Sequence, residues 1–90
     1  MNTHDFTKTF LSHLKLGQHV LDLGAGDGKF AQIFVERGAA VTAVDTRPMN
    51  INDAMIVPKQ MTIEDFCATK SAEKYDLMFA RNAIQFLDKN

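Results

Sequence analysis

The run HVLDLGAGDGKF, His19 to Phe30, constrains this chain more than any other segment, and VTAVD, closing at Asp45, completes it. An apolar strand enters a glycine-rich turn, a helix follows, and a second apolar strand ends on a carboxylate. Such a strand–turn–helix–strand unit belongs to an open α/β sheet whose strand ends face a ligand. The glycines let the backbone turn tightly and let a ligand approach it. The start of the following helix presents unpaired N–H groups and a partial positive charge.

The rest of the chain is read around that unit. Phe6, Phe10, Leu11 and Leu14 form one apolar stripe on a short first helix that Gly17 ends. Val20, Leu21 and Leu23 make His19 to Leu23 a buried strand. The second helix runs from Lys29 to Arg37 with Gly38 at its C′ position, and Phe30, Ile33 and Phe34 face the sheet. Ala40 to Val44 is the second strand. Met49 to Val57 is expected to hold a short irregular helix, Met61 to Ile63 a brief third strand, and Tyr75 to Ala80 the fourth. Ala83, Ile84 and Leu87 begin another helix. The fold class is therefore α/β, a doubly wound, mainly parallel Rossmann-like sheet truncated after the fourth strand.

Composition limits what such a sheet can do. Ninety residues make one domain, and a chain of this size buries roughly 60–65% of its unfolded surface, so its stability margin is thin. With 46% apolar and 23% charged residues and a formal charge of −1, neither disorder nor a global basic field is indicated. Nucleic acid is not indicated as a partner. Cys67 is the single cysteine, which excludes an intrachain disulfide and suits a reducing compartment. His4, His13 and His19 lack metal-ligand spacing. No apolar run approaches the about 18 residues that span a bilayer, so no membrane role is read, and a cytoplasmic location is expected.

The glycine spacing selects among ligands. Gly24 and Gly26 match the first two positions of the dinucleotide fingerprint Gly-x-Gly-x-x-Gly, but Lys29 stands where its third glycine belongs; the third glycine is Gly28. Asp22 and Asp27 bring two carboxylates to the place a pyrophosphate would occupy, which disfavours NAD and suits an ammonium or sulfonium. A P-loop is excluded, since no Gly-Lys-Ser/Thr follows the glycines. Asp45 lies 21 residues beyond Gly24, a spacing suited to a ribose-diol acceptor; the plainer role for Asp45 is to cap nearby backbone N–H groups.

On these residues the chain resembles the class I S-adenosylmethionine-dependent methyltransferases, whose first motif, Asp/Glu-x-Gly-x-Gly-x-Gly, is matched by DLGAGDG at 22–28. The resemblance covers nearly the whole chain and implies an S-adenosylmethionine-binding domain over residues 1–90, incomplete on its C-terminal side, because family domains continue with three more strands. It implies that Gly24, Ala25, Gly26 and Gly28 shape the cofactor turn, that Asp22 supports the cofactor's amino group, and that Asp45, with Thr46 beside it, meets the ribose. Asp65-Phe66, just past the third strand, is similar to the adenine contact. YDLMFARNAIQFL is similar to the fourth-strand motif, with Ala80, Arg81 and Asn82 beside the methionine moiety.

The implied activity is transfer of the sulfonium methyl to an unidentified nucleophilic acceptor, by in-line attack that needs orientation more than acid–base help. No catalytic residue follows from the sequence, and no metal is implied. Two other readings stay open: a methyltransferase-like binding module without turnover, and an NAD-dependent oxidoreductase fragment. An open sheet edge calls for a second copy or another chain to cover it.

Overall fold

Alternating apolar residues in three of the strands divide the protein into two cores on opposite faces of one sheet. The computed structural model describes residues 3–69, 74–80 and 83–86. Five strands, β1 (His19–Leu23), β2 (Ala40–Asp45), β3 (Ile56–Gln60), β4 (Leu77–Ala80) and β5 (Ala83–Phe86), form a sheet of order β3-β2-β1-β4-β5. The first four are parallel, and β5 pairs antiparallel with β4. The chain runs outward from β1 to β3 and then returns to the other side of β1 for β4. The strand order therefore reverses between β1 and β4, the place where open α/β sheets bind ligands.

Because strand side chains alternate, Val20, Val41, Ala43, Leu77 and Phe79 project to one face, under α1 (Thr3–His13) and α2 (Lys29–Glu36). Phe10 of α1 and Phe34 of α2 are fully buried there and meet Phe79 at centroid distances of 5.0 and 5.1 Å. Leu21, Leu23 and Val44 project to the other face, where Phe66 of α3 (Ile63–Ala68) packs with Tyr75 and Met78. Helices on both faces make the sheet doubly wound. No helix among the described residues is long and apolar enough to cross a membrane.

The helix expected at 29–37 is present, and its end closes as a Schellman motif: Gly38 N–H donates to the Val35 carbonyl and Ala39 N–H to that of Phe34. Its buried face is Ala31 and Phe34, with Phe30 and Val35 partly buried, whereas Ile33 is not in this core and lines a surface groove together with Ile51.

Four expectations are corrected. Residues 49–57 form no helix, and the third strand lies at Ile56–Gln60, earlier than Met61–Ile63. Pro58 and the polar Lys59-Gln60 hide this strand in the sequence. Pro58 is tolerated because β3 lies at the sheet edge, where, among the described residues, one side of the strand has no partner to bond. Asp65 and Phe66 consequently sit inside α3, not past a strand. Finally, Ala83 and Ile84 belong to β5 and not to a helix; Leu87 is outside the described residues. A short apolar run fits either period, and pairing with β4 decides it.

Candidate functional site

Three successive left-handed glycines carry the chain from β1 into α2: Gly24 at φ 76°, Gly26 at 64° and Gly28 at 87°. These backbone angles disfavour any residue with a Cβ. At Gly28 space is also lacking, since an added Cβ would collide with Cδ1 of Ile51. At Gly24 the added atom would meet nothing within 4 Å, so the turn is open at Gly24 and closed at Gly28.

The end of β2 holds this turn in place. The Val44 carbonyl accepts from both Gly24 N–H (2.8 Å) and Ala25 N–H (3.0 Å). Asp45, only 9% exposed, accepts from Gly26 N–H through Oδ2 at 2.8 Å and from Arg47 N–H through Oδ1 at 2.9 Å. The Arg47 guanidinium approaches the same Oδ1 through Nε at 3.3 Å. The Arg47 backbone bond, with the Gly26 bond and the Arg47 side chain behind it, holds the Asp45 carboxyl below its ordinary value, against the upward push of burial. The plainer capping role is therefore realised. Each carboxylate oxygen has further lone-pair capacity for hydroxyl donors.

Two cavities flank this strand end. The first, about 250 Å³, lies over the glycine turn, and its charged lining is Asp22, Asp27, Lys29 and Arg47. Asp22 is 2% exposed on β1, in register between Ala43 and Phe79. Phe30 and Phe79, 5.4 Å apart at their centroids, supply the apolar wall. The second cavity, about 230 Å³, is lined by Asp45, Thr46, Met61, Thr62, Ile63 and Glu64. The last residues of β2 and the loop beyond it thus serve both: Asp45 and Thr46 the second cavity, Arg47 the first.

Of the residues singled out from the sequence, Asp22, Gly24, Ala25 and Gly26 come together at the first cavity, and Asp45 and Thr46 at the second. Gly28 lies at the start of α2, packed against Ile51 and Met49. Asp65 is exposed on α3, and its N–H donates to the Thr62 side chain at 2.9 Å. Phe66 packs on Leu21, Leu23 and Val44, and Ala80 ends β4 in the same cluster. Arg81 and Asn82 lie outside the described residues.

Asp27 accepts from Lys29 N–H at 3.1 Å, an Asx-type turn just ahead of α2, whose N-cap is Gly28. Cys67 is exposed, and His19 pairs with the Thr42 hydroxyl at 2.9 Å, at the opposite end of the strands. Among the described residues no cluster of three or more His, Cys, Asp or Glu could hold a metal ion.

Sequence reasoning missed Lys29, Arg47 and the Thr62–Glu64 stretch. For the last a signal existed: Thr62 followed by Glu64 and Asp65 is a helix start, with Thr62 accepting from Asp65 N–H and acids in the first turn. Arg47 carried none, since its place at the cavity depends on how the chain leaves β2.

The comparisons with known proteins agree with this geometry. Residues 3–89 match the model of a family described as a methyltransferase domain. The chain is 32% identical over 75 residues to the ribosomal RNA large subunit methyltransferase E of Thermoplasma acidophilum, covering 83% of this chain and 35% of that protein. It is 47% identical over 34 residues to the protein of the same name from Wolbachia pipientis wMel, covering 38% of this chain and 18% of that one. The chain thus spans about a third or less of these relatives. Among solved structures, a Lactococcus lactis protein provisionally described as a hemolysin shares the fold with a TM-score of 0.66 at 16% identity, over 87% of this chain and 41% of that one. With glycine turn, strand-end carboxylate and a family match over nearly its whole length, the chain belongs to the methyltransferase domain family.

Proposed function

We propose that this chain binds S-adenosylmethionine across the end of β2 and holds its methyl group for in-line transfer to a nucleophilic acceptor. The observation that carries the reading is the division of the site by Asp45. A carboxylate stands between a cavity over the glycine turn, lined by charges of both signs, and a second cavity free of cationic side chains. An adenosyl amino acid has this shape: a zwitterionic end, a ribose diol and a base.

The residues present fit that ligand. Gly24 leaves open space above the turn where a Cβ would otherwise stand. Asp22 is the buried acceptor suited to the ammonium group, and the remaining lone pairs of Asp45 suit the ribose hydroxyls. Thr46 and the start of α3, with Asp65 on the same helix, form the adenine side. When bound, the sulfonium supplies the electrophilic methyl by its own chemistry. The protein's part is to fix the methyl within about 3–3.5 Å of the attacking atom.

Both named relatives are ribosomal RNA methyltransferases. That acceptor is not carried over, because a formal charge of −1 gives this chain no basic field to draw a polyanion.

Calorimetric titration of the chain with S-adenosylmethionine, S-adenosylhomocysteine and NAD tests the proposal. Binding of both adenosyl compounds without NAD is expected. Binding of NAD alone would overturn it, and a folded sample that binds none of the three would turn the reading to a module without a cofactor.

A further inference from the structure

The charged lining of the first cavity is balanced, with Asp22 and Asp27 against Lys29 and Arg47. A site reading only an ammonium or sulfonium has no use for the two cations. Lys29, the first residue of α2, also borders the open groove along that helix, beside Gln32 and Glu36, and so sits at the rim. Arg47 is placed differently. Its side chain is 68% exposed and lines the cavity, yet it leans back onto Asp45 through a single Nε contact of 3.3 Å. The two terminal nitrogens of the guanidinium keep four donors for another acceptor, and their fork matches a carboxylate. Asp45 meanwhile is the group that a ribose diol would engage.

Resting on the adenosyl-ligand reading above, we propose that Arg47 exchanges partners on binding: it leaves Asp45 Oδ1 to the ligand's hydroxyl groups and takes the ligand's α-carboxylate. Arg47 is thereby the residue that makes the site select adenosyl amino acids over nucleosides lacking the amino-acid end. The exchange replaces the Arg47–Asp45 ion pair, half of which is buried, with an Arg47–carboxylate pair, and the zwitterionic end of S-adenosylhomocysteine leaves the net charge of the site unchanged. Because the Arg47 side chain is mostly solvated and its backbone N–H, which also bonds Asp45, survives substitution, the fold tolerates its loss.

The test is calorimetry of the full chain and its Arg47→Ala variant with S-adenosylhomocysteine and with 5′-methylthioadenosine, which has the nucleoside but no carboxylate. Thermal melts of both proteins confirm folding. The wild type should prefer S-adenosylhomocysteine. Arg47→Ala should weaken it about fivefold while leaving methylthioadenosine unchanged or slightly tighter, since a competitor for Asp45 is gone. Equal effects of Arg47→Ala on the two ligands would overturn the exchange, as would tighter binding of both, which would make Arg47 a competitor only. A wild-type chain that binds methylthioadenosine as well as S-adenosylhomocysteine would also overturn it while sparing the nucleoside site. Binding of neither ligand would instead remove the reading on which it rests.

Discussion

The two sides of Asp45 are built by different means. On one side the glycine turn is fixed by backbone: three left-handed residues, with the amides of 24, 25 and 26 paired to Val44 and Asp45. On the other side α3 is a six-residue helix with no buried residue, held by the Thr62 cap, the Met61 N–H bond to the Asp45 carbonyl and partial burial of Phe66. The first side owes its shape to local conformational necessity. The second owes it to one polar cap and a few apolar contacts. A part built the first way tolerates few substitutions, and a part built the second way is easily loosened.

The sharpest way to break this contrast is Asp45→Ala. It leaves the buried Gly26 N–H without its acceptor and removes a charged partner of Arg47 N–H, so it should cost about 3 kcal/mol in urea unfolding and abolish measurable adenosyl binding. A loss under about 1 kcal/mol would mean that the turn does not depend on the strand end. The same variant should alter the acid limb. The Asp45 carboxyl is held below its ordinary value in the folded state by its bonds to Arg47 and Gly26. Its contribution is therefore fully present above that value and lost as pH falls through the lower folded pKa. In Asp45→Ala that part of the decline below pH about 4 should vanish.

Gly28→Ala comes next. Strain at positive φ and the collision with Ile51 together should cost about 2 kcal/mol, read from the same unfolding curves; a neutral result would show that Ile51 and the turn relax freely. Thr62→Ala should be smallest, about 1 kcal/mol, confined to α3. Amide exchange there should quicken while residues 24–26 keep their protection, and a matching change in the turn would merge the two sides into one unit.

The same contrast explains what the sequence disclosed. β1, α2 and β2 were legible within a residue or two at their ends because each rests on local signals: an apolar run, glycines at fixed offsets, and Gly38 closing a helix. The β3–α3 half was misread where tertiary context overrode local pattern. Pro58 argues against a strand until the sheet order shows it on an edge, and Ala83 and Ile84 fit either period until β4 supplies a partner. For the site, Asp22 and Asp45 were recognisable from their distance to the glycines. Arg47 was not, since a cation two residues past a strand has no pattern of its own, and only the way the chain leaves β2 brings it to the cavity.

The pairing of Val44 with two amides of the turn has a consequence for the thermodynamics of ligand capture. A loop that must be ordered by its ligand spends part of the interaction energy on lost conformational entropy. Here the glycine turn is already anchored to β2 at three consecutive residues, so that part of the candidate site is pre-organised. In the proposed complex the remaining ordering would fall on the Arg47 side chain and the short helix beyond Asp45, so selectivity between related nucleosides would be decided there while the glycine turn would serve all of them alike.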